Sequence, residues 1–367
     1  MQVPYLDYRI PDDAERAEYL RAVETVMLDG DVILGRAVSE IEERIAGYSG
    51  TSFAVGVGSG TDAISLALQA IGVGPGDEVI TTALSYIGTA NAIAATGATP
   101  IFVDVGDNMN VDPEAVEAVI GRRTRAIVPV HLGGQLCDMA AIAAAADRHM
   151  VPIIEDAAQS IGASGPDGRK AGSLGAAGAI SLNAMKILKS FGEGGMVLTN
   201  DQSIRDRIRG LRDNRQADLG GRVIPGRNAR LDTLQAAVVL PRFGRLEETI
   251  TRRRNIAARY REAFAGLVEP PRDVADYRDV YYSYSIATDQ RDALQAHLEG
   301  RGIGTRIQYS YLLPELPAFA HLRQRAPLDK ARSIMQRTLS LPCYERLTDE
   351  QIETVIGAVQ SFFASKR

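Results

Sequence analysis

Residues 53–71 read FAVGVGSGTDAISLALQAI, and this stretch decides the fold. Phe53–Val57 is a short run of strand-forming residues, and Ser59–Ile71 places its apolar residues at helical spacing. The apolar stripe of that helix consists of Ala63, Ile64, Ala67, Leu68 and Ile71. A strand that passes through a glycine-bearing turn into a helix is the repeating unit of an α/β sheet. The stretch therefore predicts a mostly parallel sheet covered by helices.

The same alternation continues on the C-terminal side of this unit. Further strands are predicted at Glu78–Thr82, Thr99–Val105, Arg125–His131 and Pro152–Glu155. The helices predicted between them are Thr89–Ala95, Pro113–Ile120 and Met139–Arg148. Ala176–Leu182 and Gly194–Thr199 then predict two strands without a full helix between them, so the sheet is mixed. Because ligands of such sheets bind beyond the carboxyl ends of the strands, the residues after each strand are the site candidates.

The pattern changes after about residue 245. A long charged helix, Leu246–Phe264, precedes a predicted strand at Tyr281–Ile286. The remaining predicted elements are a helix at Arg291–Glu299, a strand at Thr305–Tyr309 and a helix at Asp349–Ser365. We expect a large domain over residues 1–245, including an N-terminal arm, and a smaller α+β domain over residues 246–367.

Composition excludes several classes of protein. The 367 residues carry a formal net charge of −5, which gives no electrostatic reason to expect nucleic-acid binding. No apolar run approaches the roughly 20 residues of a membrane span, and residues 1–11 do not resemble a signal peptide. The distant pair Cys137 and Cys343 is typical of a reducing compartment, and the four histidines lack metal-ligand spacing. We therefore expect a cytoplasmic protein without a metal site.

The turn Gly58-Ser59-Gly60-Thr61 is a candidate phosphate site. Glycines let backbone N–H groups approach an anion, and the helix N-terminus adds its dipole. Taken alone, the motif is equally compatible with a tight turn that binds nothing. It is not the dinucleotide fingerprint, because Thr61 stands where the third glycine is needed.

Asp156 is a candidate for holding a ring nitrogen. Glu155 and Asp156 directly follow the apolar run Val151–Ile154. A carboxylate at a strand end can keep a pyridine nitrogen protonated, which makes the ring an electron sink. The alternative is an ordinary helix N-cap.

Lys186 is the most informative residue. The chain has five lysines among its 41 basic residues, and Lys186 follows a predicted buried strand among small and apolar neighbours. Such surroundings disfavour the ammonium form and leave a nucleophilic amine, a role that arginine cannot fill. The alternative for any lysine is a solvated side chain, which is what we expect for Lys189.

Taken together, the motifs point to one family. GSGTDA (58–63), SYIGTAN (85–91), PVHLGGQ (129–135), EDAAQ (155–159), SLNAMK with GEGG (181–195) and NARLDTLQA (228–236) occur in this order. The series resembles the DegT/DnrJ/EryC1/StrS aminotransferases, which act on sugars and cyclitols and have the aspartate-aminotransferase fold, fold type I. The resemblance implies pyridoxal 5′-phosphate as cofactor.

The resemblance also implies residue roles. Lys186 matches the lysine that forms the Schiff base, and Asp156 matches the partner of the pyridinium nitrogen. The other matches are Gln159 at the phenolic oxygen, Tyr86 stacked on the ring, Gly60, Thr61 and Ser181 at the phosphate, and Asn228 reaching the phosphate of the partner subunit. The last of these implies a homodimer with shared active sites.

The departures from the family pattern concern the substrate. The family often has an aromatic and a proline within Leu182–Ala184, tyrosine at Gly133 and histidine at Gln308. These positions lie near the substrate rather than the cofactor, so they leave the substrate open. One branch replaces the Schiff-base lysine with histidine and performs dehydration, and Lys186 argues against that branch.

We therefore expect an aminotransferase that takes nitrogen from L-glutamate or L-glutamine and passes it to a keto-sugar. A nucleotide-linked keto-deoxyhexose is the leading acceptor, and a keto-cyclitol or keto-sugar phosphate comes next. Two other classes stay open: a nicotinamide-dependent oxidoreductase, against which the missing third glycine counts, and a non-catalytic protein of the same fold.

Overall fold

The computed structural model describes residues 1–219 and 221–364. The strands are β1 (Phe53–Val57), β2 (Glu78–Thr82), β3 (Thr99–Val103), β4 (Thr124–Val128), β5 (Ile154–Asp156), β6 (Ala177–Ser181), β7 (Gly195–Thr199), β8 (Ala217–Asp218), β9 (Val223–Ile224), β10 (Tyr284–Ala287) and β11 (Thr338–Leu341). The helices are α1 (Asp13–Asp29), α2 (Arg36–Ser49), α3 (Gly60–Ala70), α4 (Ile87–Ala94), α5 (Pro113–Val119), α6 (Met139–Arg148), α7 (Gln202–Leu211), α8 (Thr233–Gly244), α9 (Leu246–Ala263), α10 (Arg291–Glu299), α11 (Asp329–Arg337) and α12 (Asp349–Ala364). Among the described residues, none of these helices is long and apolar enough to cross a membrane.

The first seven strands form one mixed sheet in the order β3-β2-β4-β5-β6-β7-β1. Strands β3, β2 and β4 pair in parallel, as do β5 and β6, whereas β7 runs antiparallel to both β6 and β1. Bridges at Ile127–Ile153 and Val130–Asp156 join the two halves between β4 and β5. The predicted α/β architecture, with its helix-free connection between β6 and β7, is confirmed.

Helices cover both faces of this sheet because its strands are apolar on both sides. In β2, Val79 packs in one hydrophobic cluster with α3 and α7, and Ile80 packs in another with α2, α5 and α6. Adjacent residues of a strand point to opposite faces, so such a strand can be fully buried only between two helical layers.

A third cluster occupies the C-terminal part of the chain. It gathers the antiparallel pair β10–β11 with α9, α10 and α12, and it includes Val3, whose backbone pairs with Ile303. The division of the chain near residue 245 remains a prediction. Packing of Val3 in this cluster means that the N-terminal segment crosses any such boundary.

Two predicted strands differ from the structure. Thr305–Tyr309 is not a strand, because only Arg306 pairs with Ser340 while the preceding Gly304 is held by the carbonyl of Val3. The strand predicted from Tyr281 begins at Tyr284, since Tyr281 has a left-handed backbone (φ 48°). The helix predicted to reach Ser365 is described to Ala364, and Ser365 lies outside the described residues.

A buried carboxylate fixes the centre of the sheet. Glu155 in β5 accepts hydrogen bonds from the backbone N–H groups of Gly172 (2.8 Å), Leu174 (2.6 Å) and Gly175 (2.7 Å). Nε2 of the equally buried His131 lies 2.9 Å from the Glu155 carboxylate. Nδ1 of His131 accepts from the Cys137 N–H, so the ring donates to Glu155 through Nε2. This carboxylate therefore joins β5 to the chain that precedes β6.

We predict that Glu155→Leu lowers the free energy of unfolding by about 3 kcal/mol or more, because it leaves several buried donors without an acceptor. Glu117→Leu is the matched control, since Glu117 pairs with Arg148 on the surface. It should change stability by less than about 1 kcal/mol. Denaturant unfolding measures both variants, and an equal effect of the two would contradict this account.

Candidate active site

The predicted site residues follow strands that end at one edge of the sheet. Strands β1, β5 and β6 run in the same direction, so the segments after Val57, Asp156 and Ser181 emerge side by side. Gly195, at the start of the antiparallel β7, pairs with both Val57 and Ser181. This is the edge at which an α/β sheet binds its ligand.

The turn between β1 and α3 lies against the end of β6. A Cβ added to Gly60 would stand 2.8 Å from the Ser181 Cβ, and one added to Gly195 would collide with the Ser59 carbonyl oxygen. Ser59 caps α3 by accepting a hydrogen bond from the Asp62 N–H (3.0 Å). The first turn of the helix and the Ser181 hydroxyl therefore meet, as a phosphate site at a helix N-terminus requires.

An aromatic ring lies beside this turn. Tyr86 immediately precedes α4, and its side chain is 62% exposed. A Cβ added to Gly88 would stand 2.9 Å from the Tyr86 ring and 3.0 Å from the Thr61 hydroxyl. The glycine thus lets Tyr86 fold back toward Thr61, and the ring remains open to a stacking partner.

Asp156 is buried and held on both carboxylate oxygens. Oδ2 accepts from the Thr89 hydroxyl (2.7 Å), which is 3.2 Å from the Ser85 hydroxyl, and Oδ1 accepts from the Ala158 N–H (3.1 Å). The side chain does not cap a helix, which was the alternative interpretation. These two partners fix the direction of the Asp156 carboxyl group.

Gln159 is fixed by two contacts. Its Oε1 accepts from the Gly133 N–H (2.9 Å), and its Nε2 donates to the Tyr309 hydroxyl (3.1 Å). Burial raises the pKa of that hydroxyl, so Tyr309 stays neutral at physiological pH. Gly133 has a left-handed backbone (φ 68°), which glycine adopts without strain.

Lys186 is half-buried on the loop between β6 and β7. Its Nζ lies 4.6 Å from the centre of the Tyr282 ring, within the range of a cation–π contact. The backbone N–H of Lys186 donates to the Asn183 carbonyl (2.9 Å), which closes a tight turn directly after Ser181. The loop spans residues 182–194 and is tied to the strand ends by backbone hydrogen bonds from Leu182 N–H to the Gly194 carbonyl (2.8 Å) and from Ser190 N–H to the Leu182 carbonyl (2.7 Å).

The side chain of Lys189 is largely buried, whereas the sequence predicted a solvated one. Its side chain is 18% exposed rather than solvated, and its Nζ lies 2.6 Å from the Glu345 carboxylate. The Glu345 carboxylate therefore takes the place of water as the partner of the Lys189 side chain.

Asn228 is exposed, on a segment that runs beside β1. Gly58 N–H donates to the Ala229 carbonyl (2.9 Å), and Val57 bridges to Arg230. Most arginines of this region are not free to receive a ligand. Ion pairs join Arg212 to Glu42 (2.6 Å), Arg227 to Asp62 (3.0 Å) and Arg230 to Asp213 (2.6 Å).

These features fit pyridoxal phosphate. The Gly60–Ser181 approach brings the N-terminus of α3 and the Ser181 hydroxyl together as donors for the phosphate, and the fixed Asp156 carboxyl group suits a protonated ring nitrogen. A half-buried lysine and an exposed aromatic ring complete a site for an aromatic aldehyde. The fold and site together define a pyridoxal-phosphate enzyme of fold type I.

Residues 13–360 match the model of the DegT/DnrJ/EryC1/StrS aminotransferase family, so the chain belongs to that family. It is accordingly a transaminase that depends on pyridoxal phosphate. The oxidoreductase alternative is thereby wrong.

Curated relatives agree in length with the chain. A "pleiotropic regulatory protein" of Geobacillus stearothermophilus is 41% identical and covers 99% of both chains. A UDP-N-acetyl-3-dehydro-α-D-glucosamine 3-aminotransferase of Acidithiobacillus ferrooxidans is 38% identical over 98% of this chain and 97% of its own. A dTDP-3-amino-3,4,6-trideoxy-α-D-glucose transaminase of Streptomyces venezuelae is 39% identical over 98% and 96%.

Solved structures share the fold. DesV of S. venezuelae, solved in complex with a ketimine intermediate, superposes with a TM-score of 0.93 at 39% identity over 98% of both chains. The NtdA protein of Bacillus subtilis, solved with bound cofactor PMP, has a TM-score of 0.90 at 27% identity and covers 99% of this chain and 85% of its own.

Sequence reasoning missed three contacts of the site. Thr89 lies within the quoted SYIGTAN motif, but a threonine at the start of a helix gives no sign of a carboxylate partner. Tyr282 and Tyr309 come from the C-terminal part of the chain. Neither lies near the motifs in sequence, so only the three-dimensional structure brings them to Lys186 and Gln159.

We predict that Thr89→Val lowers turnover, because the isosteric change removes the hydroxyl that holds Asp156 Oδ2. The unfolding free energy should also fall, by about 1–3 kcal/mol, since a buried carboxylate oxygen loses its donor. Thr89→Ser keeps the hydroxyl and is the control. Steady-state kinetics and denaturant unfolding compare them, and equal turnover in the valine and serine variants would argue against this role.

Proposed function

We propose that the chain transfers an amino group from L-glutamate or L-glutamine to the keto group of a nucleotide-linked sugar, with Lys186 and Asp156 as its catalytic residues. The observation that carries the proposal is that Asp156, the Gly60–Ser181 approach and the loop bearing Lys186 lie at the ends of strands that finish at one edge of the sheet. A non-catalytic protein has no need of a nucleophile, an acid partner and a phosphate site together.

Each side chain has a part in this reaction. Pyridoxal phosphate, when bound, supplies an aldehyde for the amine and a conjugated ring that accepts electrons. Lys186 would hold the cofactor through its side-chain amine and, when that amine is free, would move a proton to and from the donor carbon. Asp156 keeps the ring nitrogen protonated, and Thr89 fixes the angle of its carboxylate.

The remaining residues bind and orient the cofactor. Gly60 and Thr61 offer backbone N–H groups, and Ser181 a hydroxyl, to the phosphate at the N-terminus of α3. Tyr86 stacks on the ring. Gln159, whose Oε1 is already bonded to Gly133, has Nε2 available to donate to the phenolic oxygen in competition with Tyr309.

The relatives' names support a nucleotide-linked acceptor. Two of them name UDP- or dTDP-linked sugars with nitrogen at carbon 3. We propose a nucleotide-linked 3-keto-hexose as the first acceptor to test, with a keto-cyclitol or a keto-sugar phosphate as the alternative. The chain's own Arg212, Arg227 and Arg230 are already paired with acids, so a pyrophosphate needs other cations.

We propose a homodimer with shared active sites. An apolar surface is exposed at the end of α1 and beside α8, and its members are Met27, Leu28, Val32, Ile33 and Leu234. The bridge between Ile33 and Asp232 joins its two parts. Contiguous apolar surface of this kind marks an interface. Exposed Asn228, on the segment that precedes α8, is then free to reach the phosphate site of the partner.

The compartment proposed for the chain is the cytoplasm. Cys137 and Cys343 are both free and buried, which suits a reducing environment.

The spectrum of the purified protein tests the central proposal. With pyridoxal phosphate, the wild-type protein should show the near-visible band of a Schiff base, and L-glutamate should bleach it as the pyridoxamine form accumulates. Lys186→Ala should bind the cofactor without that band and lose turnover by several orders of magnitude. Lys330→Ala, at a surface lysine, is the control. Absence of the band in wild type would contradict the proposed reaction, and its persistence in Lys186→Ala would show that an amine other than Lys186 forms the Schiff base.

A mixing experiment tests the shared site. Lys186→Ala and Asn228→Asp are each expected to be weakly active alone, the second because an added carboxylate repels the phosphate. If Asn228 acts across the interface, a mixed dimer contains one site with both changes and one site with neither. Mixing should therefore restore activity. Failure to restore it in dimers shown to have exchanged subunits would place Asn228 in its own chain's site.

A further inference from the structure

A buried group of three charges links the Lys186 loop to the C-terminal part of the chain. Glu345 lies between Lys189, 2.6 Å from one carboxylate oxygen, and Arg253, 3.2 Å from the other. The side chains of Lys189 and Glu345 are 18% and 17% exposed, and that of Arg253 is 1% exposed. All three ions are therefore largely removed from water.

Burial and the neighbouring charges shift the pKa values of Glu345 and Lys189. Burial works to raise the pKa of Glu345, but the charges of Arg253 and Lys189 outweigh it and lower that pKa to about 2. Burial also lowers the pKa of Lys189, because one carboxylate does not fully offset the lost hydration of its ammonium group. Lys189 and Arg253 both form their ion pair with the same residue, Glu345. Loss of the Glu345 carboxylate would therefore remove the ion pairs of both cations.

On one side, the group holds the loop that carries Lys186. Lys189 lies three residues after Lys186 in the same loop. The Arg242 guanidinium donates to the carbonyl oxygens of Lys189 (2.7 Å) and Ser190 (3.1 Å). Both the side chain and the backbone of Lys189 are thus fixed from outside the loop. A displacement of Lys189 has to move the loop with it.

On the other side, the group holds Tyr282. Arg253 Nη1 donates to the carbonyl oxygens of Tyr281 (3.1 Å), Tyr282 (3.4 Å) and Cys343 (2.7 Å). Tyr281 has a left-handed backbone (φ 48°), a conformation that costs a non-glycine residue free energy and persists only when its surroundings impose it. The Tyr282 ring in turn lies 4.6 Å from the Lys186 amine.

Both arms of the group therefore meet at one contact, that between Lys186 and Tyr282. Buried ion pairs contribute little net stability compared with apolar residues of the same size, so stability alone is a weak reason for these two pairs. Their geometry provides a stronger reason. The Glu345 carboxylate fixes both the loop that carries Lys186 and, through Arg253, the backbone that carries the Tyr282 ring.

We propose that Glu345 is a positioning residue that, through Lys189 and Arg253, places Lys186 against Tyr282 and so aims its amine at the cofactor aldehyde. This rests on the proposed function, which takes Lys186 as the Schiff-base residue. In the step concerned, the neutral amine adds to the aldehyde carbon, a carbon–nitrogen double bond replaces the carbon–oxygen one, and one water leaves. Glu345 makes no contact with these atoms and acts only through the position of Lys186.

The test separates covalent attachment from cofactor binding. Stopped-flow absorbance gives the rate at which the full-length protein, freed of cofactor, forms the Schiff-base band with pyridoxal phosphate. Fluorescence titration with pyridoxamine 5′-phosphate, which forms no Schiff base with lysine, gives the affinity of the site. The variants are Lys189→Met and Glu345→Gln, with Lys189→Arg as the conservative rescue. Lys330→Met is the matched control, because Lys330 pairs with Asp107 on the surface (2.7 Å).

We expect Lys189→Met and Glu345→Gln each to slow Schiff-base formation by roughly tenfold or more, since a displaced nucleophile loses its alignment. Affinity for pyridoxamine 5′-phosphate should stay at the wild-type level in both, and Lys189→Arg and Lys330→Met should react at the wild-type rate. Unchanged rates overturn the proposal, and so does a parallel loss of affinity, which indicates a general structural role. If Glu345→Gln does not fold, Lys189→Met decides. A wild-type protein without the band would instead refute the proposed function.

Discussion

The structure depends on a close approach between two pieces of backbone. The turn after β1 lies directly against the end of β6 and the start of β7, and this is possible because Gly60 and Gly195 have no side chains to separate them. The approach places a helix N-terminus, the Ser181 hydroxyl and the loop that carries Lys186 at one point of the sheet edge. Any side chain at either glycine would move the anion-binding turn away from the lysine loop.

Around that point, each reactive group is held by a residue from another part of the chain. Thr89 of α4 orients Asp156, Gly133 orients Gln159, and Tyr282 lies against Lys186. The supporting groups come from the segments that follow β2 and β4 and from the C-terminal part of the chain. Residues of different motifs thus orient one another at Asp156 and Gln159, whereas the contact at Lys186 comes from Tyr282, which lies outside the motifs.

The sequence is most informative where chemistry and local structure coincide. The boundaries of β1, β2, α6 and α10 match those predicted, because turn residues and apolar periodicity bound these elements locally. The candidates Lys186, Asp156 and Ser181 could be found because each lies at the end of a strand or shortly after it. The strand expected at Thr305–Tyr309 could not be excluded from sequence, since its pairing fails through contacts with Val3. The burial of Lys189 depends equally on a distant residue, Glu345.

The two carboxylates of β5 have different consequences for how the chain can vary. Glu155 and Asp156 are neighbours, so the pleat of the strand turns one toward the backbone N–H groups around Gly172 and the other toward Thr89. Deleting or inserting a single residue in this strand would exchange their directions and disable packing and chemistry in the same event. Related chains should therefore have insertions and deletions in their surface loops but none within the three residues of β5.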